Sequence, residues 1–287
     1  MTFLFYFDPM KHICFNGKII GEDDPVFTGS NRSYRYGDGL FETIRANIGK
    51  PVQSDFHFER LFSSLQLLKF TIPAFFSQES IENEIAGLCK KNNCLDSSRI
   101  RLSISRGNGG LYDCDNKFQY LIECWPLENS FSSINENGLI LDIYPDARKS
   151  ADKFSNLKSA NFLPYVMASL WAKDNILNEA LLLNTNERIC DATTANLFLI
   201  KDGKIYTPPL SEGCVAGVMR RFLIENLQRA GYSVKEIELG IENLELADEV
   251  FLTNAVHGLK WVKQFREKKY RLNIAVEIYN KLIKPLF

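Results

Sequence analysis

The chain has 287 residues, enough for one large domain or for two smaller domains that each bury a hydrophobic core. Hydrophobic residues make up 45% of the chain and charged residues 24%, and the formal net charge of -1 excludes a strong overall attraction to nucleic acid or anionic membranes. The apolar segment 1–7 lacks the basic region of a signal peptide and ends at Asp8-Pro9. It is therefore predicted to be a strand and not a signal peptide.

The seven cysteines are scattered along the chain, and none forms a Cys-x-x-Cys pair. This pattern predicts neither a disulfide framework nor a zinc site, and it is typical of a cytoplasmic protein. The three histidines lie in unrelated contexts, so no metal site and no catalytic triad is predicted.

The first half of the chain alternates strands and helices. Segments 13–15 and 18–20 flank Asn16-Gly17, a dipeptide typical of a hairpin turn. Apolar residues at helical spacing follow Asp55, which is predicted to cap a helix. The other predicted elements of this half are strands at 40–46, 99–105 and 118–125 and a helix at 80–91.

A change of composition separates the two halves. Segment 126–137 is polar and rich in turn residues, which predicts a linker between a small N-terminal α/β domain at 1–125 and a larger C-terminal domain at 138–287. Both domains are expected to be of the α+β class, with a cleft between them. The predicted strands of the second half are 139–144, 179–184, 196–200, 204–207, 233–238 and 249–253, and the predicted helices are 161–173 and 217–230.

Four short segments of the second half carry complementary chemistry. Lys158 lies in segment 156–161, Asp191 begins segment 191–198, and 207–209 precedes Gly217, which opens a helix. An amine can form a Schiff base, a carboxylate can pair with a pyridinium nitrogen, and the amides of a helix start can bind phosphate. Each segment alone is compatible with a surface lysine, a turn acid or a turn glycine. Together they indicate a pyridoxal phosphate site.

Three features of the first half extend this hypothesis. Arg60, on the helix after Asp55, could add a charged clamp on the same phosphate. Segment 36–43 has two glycines around Asp38 and predicts a tight turn before a strand, but it is not a nucleotide fingerprint because no helix follows. Arg106 ends a strand in a glycine-rich loop and is either a substrate carboxylate ligand or part of an ordinary hairpin loop.

Taken together, these segments resemble the class IV aminotransferases, the pyridoxal-phosphate fold type IV family, over 16–262. The resemblance implies a two-domain fold with pyridoxal 5'-phosphate in the interdomain cleft, and a homodimer. In this family a lysine at the position of Lys158 forms the Schiff base. The residues implied to contact the cofactor are Lys158, Arg60, Asp191, Asn196, Gly217, Val218, Met219 and Asn254.

Within the family, segments 37–43, 105–110, 195–198 and 217–220 are most similar to the 4-amino-4-deoxychorismate lyases. That similarity implies conversion of 4-amino-4-deoxychorismate to 4-aminobenzoate, which feeds folate synthesis, and pyruvate. Lys158 would be the base and Thr43 a proton relay. The residues implied to contact substrate are Tyr36, Arg106 and Asn254.

Two alternatives stay open. An aminotransferase acting on branched-chain or D-amino acids would use the same lysine but release a keto acid, and a noncatalytic relative would keep only the fold. One departure bears on this choice, since the family normally has glutamate where this chain has Asp191. Aspartate is shorter by one methylene, about 1.3 Å of reach, which predicts a long or water-bridged contact with the pyridine nitrogen.

Overall fold

A computed structural model describes residues 11–128 and 133–287, which form two compact units. The first unit holds the described residues before 129 together with Lys158–Asn161. The second holds the described residues from 133 to Leu157, and Phe162–Phe287. The predicted strand at 1–7 and part of the predicted linker lie outside the described residues. Within the described part of the chain, no helix is both long and apolar enough to cross a membrane.

The first unit contains a six-stranded antiparallel sheet with the strand order β2-β1-β6-β5-β3-β4. The predicted hairpin is confirmed, and its turn residues Asn16 and Gly17 both have positive φ, as a tight two-residue turn requires. The strands are β1 His12–Phe15, β2 Lys18–Gly21, β3 Gly39–Asn47, β4 Lys50–Pro51, β5 Ser97–Ser105 and β6 Gln119–Pro126.

Helices cover one face of this sheet. Alternate strand residues point to opposite faces, so every second residue of a strand packs under the helices. Ile100 and Leu102 of β5 are buried on the covered face. The helices are α1 Arg32–Tyr36, α2 Ser54–Leu67 and α3 Gln78–Lys91. The predicted cap of α2 at Asp55 is wrong, since Gln53 precedes the helix in the left-handed region (φ 55°) and Asp55 lies in the first turn.

The second unit contains a mixed nine-stranded sheet. Its path is β12-β11-β10-β13-β14-β7-β8-β9, and β15 pairs with β14. The pairs β7–β8, β7–β14 and β11–β12 are parallel, whereas the others are antiparallel. The strands are β7 Leu139–Lys149, β8 Glu179–Asn184, β9 Ile189–Ala192, β10 Asn196–Lys201, β11 Lys204–Thr207, β12 Val234–Glu236, β13 Glu249–Asn254, β14 Gly258–Phe265 and β15 Lys268–Lys269.

Both faces of β10 are buried, so its central residues 197–200 form an apolar run instead of alternating with polar residues. Leu197 and Leu199 join one hydrophobic cluster, while Phe198 and Ile200 join another that contains residues of α5. The helices of this unit are α4 Leu163–Asp174, α5 Val218–Arg229, α6 Ile241–Leu246 and α7 Ile274–Ile278. A 3-10 turn at Leu210–Glu212 precedes α5, and a π-helical segment at Tyr279–Ile283 and a final 3-10 turn at Lys284–Leu286 follow α7.

Candidate active site

The segment that carries Lys158 is attached to strand β3 of the first unit. The Phe41 amide donates to the carbonyl of Lys158 at 2.9 Å, and the Ala160 amide donates to the carbonyl of Gly39 at 2.9 Å. Leu40 and Ser159 form an isolated antiparallel bridge. These bonds explain why Lys158–Asn161 groups with the first unit, whereas the sequence assigns it to the C-terminal domain.

The side chain of Lys158 lies over an aromatic ring. Its Nζ is 4.5 Å from the centroid of the Phe41 ring, and the guanidinium carbon of Arg101 is 4.0 Å from the same centroid. Thr43 is two residues beyond Phe41 on β3, so both side chains point to the same face of the sheet. The amine of the predicted base therefore lies over the strand face to which the predicted relay also points.

Arg60 lies beside Glu42 of β3. Arg60 Nε donates to Glu42 Oε1 at 2.8 Å, its Nη2 contacts Oε2, and His57 Nδ1 lies 2.8 Å from Oε2. His57 and Arg60 are three residues apart on α2 and thus share a helix face. Glu42 and His57 were not predicted as site residues, although the i,i+3 spacing of His57 and Arg60 is visible in the sequence. The phosphate role of Arg60 stays a prediction.

The electrostatics of this cluster favour an ionised Glu42. Burial alone would raise the pKa of the Glu42 carboxyl, but the Arg60 charge and the His57 contact outweigh it and lower the pKa to about 2. Burial also lowers the pKa of His57, whose Nε2 is buried without a hydrogen-bond partner. The cluster is therefore a buried ion pair between β3 and α2 with a neutral imidazole beside it.

Arg106 lies beside Asp38 and the C-terminal end of α2. Its Nε donates to Asp38 Oδ2 at 2.9 Å, and its two terminal nitrogens donate to the carbonyls of Leu68 (2.6 Å) and Lys69 (3.1 Å). Burial of Asp38 opposes ionisation, but hydrogen bonds from Arg106 and Arg32 outweigh it and lower the pKa of Asp38. The guanidinium that was predicted to bind a substrate carboxylate thus holds an internal one, and its substrate role stays a prediction.

Tyr36 ends helix α1, which the sequence analysis did not predict. Its ring is 39% exposed and lies 5.4 Å from the guanidinium carbon of Arg32. Gly37 follows with φ 66° and closes the helix in the left-handed region, so the expected tight turn is present there. Packing does not bury the Tyr36 ring, so it remains accessible to a ligand.

Asp191 of the second unit lies at the centre of a buried hydrogen-bond network. Its Oδ2 accepts from Lys149 Nζ (3.1 Å), Tyr165 Oη (2.8 Å) and the Val215 amide (2.9 Å). Its Oδ1 accepts from Asn196 Nδ2 at 2.9 Å. Asp191 is only 2% exposed, so its charge is stabilised by these four donors and not by bulk water.

Lys149 and Tyr165 are residues that the sequence analysis missed. Lys149 ends β7, five residues beyond the predicted end of that strand, and its ammonium also contacts Tyr165 Oη. Burial, with the nearby charge of Asp191, raises the pKa of Tyr165 well above its usual value, so the phenol stays a neutral donor. The pattern of apolar residues does not reveal a buried lysine, because lysine is usually a surface residue.

The start of α5 is built for a close approach of another group. Gly217 precedes the helix, no side chain caps it, and its first turn contains no acidic residue. A Cβ at Gly217 would lie 1.8 Å from Asn196 Oδ1, so only glycine fits. Asn196 Nδ2 also donates to the Val215 carbonyl, which fixes the loop before the helix. First-turn amides have no partner within a helix, so those of Val218 and Met219 suit an anion.

Asn254 stabilises the turn after β13. Its Oδ1 accepts from the amides of Val256 (3.1 Å) and His257 (2.9 Å), and its Nδ2 donates to the carbonyl of Thr194 at 3.3 Å. Asn196 pairs with Thr253 in the β10–β13 ladder, so the two asparagines lie near the same end of these strands. The cofactor and substrate roles of Asn254 stay predictions.

Two other features of the described residues contain none of the predicted site residues. The Sγ atoms of Cys89, Cys94 and Cys124 lie within 4.8 Å of one another and are buried, and no described histidine or carboxylate completes a larger ligand group with them. A surface cavity of about 470 Å³ in the first unit is lined by neither Lys158 nor a carboxylate.

A model of the amino-transferase class IV family matches residues 39–265, a range that contains β3, Lys158, Asp191 and Gly217. This chain belongs to the amino-transferase class IV family. The resemblance inferred from the sequence is confirmed, and so is the expectation of an enzyme of lyase or aminotransferase type.

Relatives of both reaction types match most of the chain. An aminodeoxychorismate lyase of Bacillus subtilis (strain 168) is 32% identical over 249 residues, covering 84% of this chain and 82% of the relative. A candidate branched-chain-amino-acid aminotransferase of Methanocaldococcus jannaschii is 30% identical over 248 residues, covering 84% and 83%. The crystal structure of a candidate 4-amino-4-deoxychorismate lyase of Legionella pneumophila has a TM-score of 0.80 and 30% identity, covering 91% of this chain and 96% of the other. The predicted fold class is therefore confirmed.

The family implies pyridoxal phosphate, and residues within each unit fit that group. In the second unit, Gly217 leaves no room for a Cβ, and no acid in the first turn of α5 would repel a phosphate. In the first unit, Lys158 supplies a primary amine next to an aromatic ring. The donor set thus matches an anionic, aldehyde-bearing cofactor in charge and in reactivity.

Proposed function

We propose that this protein is a pyridoxal-phosphate-dependent lyase that converts 4-amino-4-deoxychorismate to 4-aminobenzoate and pyruvate. Support comes from the Bacillus subtilis lyase, which matches over more than four fifths of both chains. The Legionella pneumophila structure, a candidate for the same activity, adds to it. In this proposal Lys158, Arg60, Asp191, Asn196, Gly217, Val218, Met219 and Asn254 bind the cofactor.

The observation that carries the proposal is the attachment of Lys158 to β3. Two backbone hydrogen bonds fix its segment to this strand, and Thr43 shares the face on which Phe41 meets the Lys158 amine. The lyase reaction needs one group that removes a proton and one that returns a proton to a different carbon. Thr43 on this strand face, with the Lys158 amine lying over the same face, suits that requirement.

The residues would divide the chemistry as follows. Lys158 removes the proton at C4 of the substrate, the ether bond at C3 breaks, and Thr43 delivers a proton to the methylene carbon of the departing enolpyruvyl group. One proton is removed and one is returned, so the reaction needs no oxidant or reductant. When bound, pyridoxal phosphate supplies an electron sink for the charge left at C4. Aromatisation of the ring makes the step hard to reverse.

The test is product analysis with the purified protein, pyridoxal phosphate and 4-amino-4-deoxychorismate. We expect equal amounts of 4-aminobenzoate and pyruvate, and a loss of at least about 10²–10⁴-fold in Lys158→Ala, the usual contribution of a positioned base. Lys153→Ala, an exposed lysine on the preceding loop, is the matched control and should retain the rate. Full activity in Lys158→Ala would contradict the assignment of the base.

A second candidate function is an aminotransferase. The Methanocaldococcus jannaschii relative favours it, and the same lysine would serve it. A panel of branched-chain L-amino acids and D-amino acids distinguishes the two, because an aminotransferase releases a keto acid from one of them and yields no 4-aminobenzoate. Cofactor binding without either product would instead point to a noncatalytic relative.

A further inference from the structure

Lys149 is a buried cation at the end of β7, and all three N–H donors of its ammonium group have acceptors within the second unit. Only 8% of the residue is exposed. Its Nζ donates to Asp191 Oδ2 at 3.1 Å and to the Ser155 carbonyl at 3.4 Å, and it contacts Tyr165 Oη. An ammonium has three donors, and three acceptors are present. Lys149 is therefore committed to this network.

The acceptor positions of Asp191 are nearly exhausted. A carboxylate offers about four lone-pair sites, two on each oxygen. Oδ2 is saturated, because Lys149, Tyr165 and the Val215 amide share its two lone pairs, whereas Oδ1 accepts only from Asn196. A ligand that needs this carboxylate therefore has one remaining acceptor position, on Oδ1.

The charge of Asp191 is balanced before any ligand binds. Lys149 is the only cationic side chain among the four donors, and the phenol of Tyr165 stays neutral, so the cluster carries no net charge. A pyridinium proton is held more tightly beside an uncompensated carboxylate than beside a carboxylate that is already paired with a cation.

We infer that Lys149 is a positioning residue that neutralises Asp191 and thereby lowers the proton affinity of the cofactor's ring nitrogen. This inference rests on the proposed cofactor site. The aspartate in place of the family's glutamate fits it, because the shorter side chain ends inside the network of Lys149 and Tyr165. A lyase whose product ring is aromatic needs less electron withdrawal from the cofactor than a reaction without that driving force.

The test compares wild type with Lys149→Met, which keeps the length of the side chain but removes the charge. The readout is the nitrogen-15 chemical shift of ring-labelled pyridoxal phosphate bound to the protein, followed over about pH 6–9. We expect the midpoint of ring-nitrogen protonation to rise by about 1–3 pH units in Lys149→Met. Lys149→Arg should restore the lower midpoint, since it keeps the charge.

Arg148→Met is the matched control. Arg148 is the preceding residue, but it pairs with the exposed Glu187 and not with Asp191. Its midpoint should equal that of wild type. Equal midpoints in wild type and Lys149→Met, or a wild-type ring nitrogen that stays fully protonated up to pH 9, would overturn the inference.

A second measurement needs no cofactor. Lys149→Met, Asp191→Asn and the double variant form a double-mutant cycle in the unfolding of the apoprotein. We expect each single variant to lower the midpoint denaturant concentration more than the double variant does, because a single change leaves one buried charge uncompensated. Additive losses would show that the two groups are not a pair. Absence of cofactor binding in every variant would instead overturn the proposed function, and the ring-nitrogen inference with it.

Discussion

Two buried acid clusters, one in each unit, differ in what their carboxylates do. Glu42 of the first unit lies between strand β3 and helix α2 and is held by two side chains of one helix, Arg60 and His57. Asp191 of the second unit is held by donors from four different segments, including a backbone amide. The first joins two neighbouring elements, whereas the second joins β7, α4, β10 and the loop before α5.

The comparison shows that the hydrogen-bond donors around a buried acid, and not its place in a sequence motif, determine what its carboxylate can bind. Glu42 lies within segment 37–43, which resembles the lyases of the family, but its carboxylate forms an internal ion pair with Arg60. Asp191 was predicted to contact a cofactor and has one acceptor position left for that purpose. Replacing single donors or acceptors should therefore separate stability from cofactor binding.

The largest effect is expected for Glu42→Gln. Removing one partner of a buried ion pair leaves the other charge uncompensated, which costs about 3–5 kcal/mol. The pKa of Glu42 is about 2, below its usual value of 4.5, so its contribution is complete above pH 4.5 and is lost as the pH falls through 2. Urea unfolding should show the full loss at pH 7 and a smaller one near pH 3.

The control for this change is Glu22→Gln, since Glu22 is exposed. It should leave the free energy of unfolding within about 0.5 kcal/mol of wild type. A Glu42→Gln variant as stable as wild type at pH 7 would mean that the ion pair with Arg60 contributes nothing net, as well-packed neutral replacements sometimes do.

Glu179 of β8 provides the opposite case, a half-buried acid that feels the charge of Lys260 without forming an ion pair with it. Its Oε1 accepts from Thr194 at 2.6 Å, but its Oε2 has no hydrogen-bond partner. Burial raises the pKa of Glu179 to about 7. A raised carboxyl pKa favours folding at low pH, and this contribution is lost as the pH rises through 7.

Glu179→Gln should therefore be stabilising at high pH alone. Glutamine resembles the protonated acid, so the variant should equal wild type near pH 3.5, below the usual pKa of 4.5, and exceed its free energy of unfolding by about 1–3 kcal/mol near pH 8.5. Denaturant unfolding at both values measures this, and Glu22→Gln, at an exposed glutamate, is the control. A variant that loses stability at pH 8.5 would show that Glu179 is ionised and stabilising.

Much of the fold was predictable because strand and hairpin signals are local. The Asn16-Gly17 turn, the alternation of β5 and the apolar run of β10 each follow from neighbouring residues. Helix α1 was missed because it has only five residues and no hydrophobic periodicity. The extension of β7 to Lys149 was missed because its last residues are polar, and their partners come from distant segments.

The candidate site was predictable only as a set of residues. The type and order of three residues, Lys158, Asp191 and Gly217, indicated the site. The residues that contact them could not be predicted, because they come from distant segments. Arg106 shows the limit, since a guanidinium in a loop can bind a substrate or an internal acid such as Asp38, and only tertiary contacts distinguish the two. The same holds for Lys149, whose burial depends on three acceptors, from Ser155, Tyr165 and Asp191.

A smaller effect is expected for Gly217→Ala. The added Cβ would clash with Asn196 Oδ1, and this asparagine cannot move freely because its Nδ2 holds both Asp191 and the Val215 carbonyl. Overpacking of this kind costs about 1–3 kcal/mol. If the start of α5 binds the phosphate, affinity for pyridoxal phosphate should fall by about tenfold or more.

Equilibrium dialysis with pyridoxal phosphate measures that affinity, and Gly87→Ala is a control with open space around its Cβ and no positive φ. Comparing the two variants separates the effect of an added methyl group from the loss of the phosphate site. Unchanged cofactor affinity in Gly217→Ala, with normal folding, would remove the start of α5 from the proposed phosphate site.

The smallest effect is expected for Arg148→Met. Arg148 and Lys149 are neighbours at the end of β7, yet Arg148 pairs with Glu187 at 2.7 Å while 64% of the Glu187 side chain is exposed. Exposed ion pairs contribute about 0–1 kcal/mol, because water and salt screen them and the side chains lose rotamer freedom. Thermal unfolding at low and high salt should therefore show little change, and that change should shrink with salt. A loss as large as that of Lys149→Met would mean that position on the strand, and not burial of the charge, determines the cost.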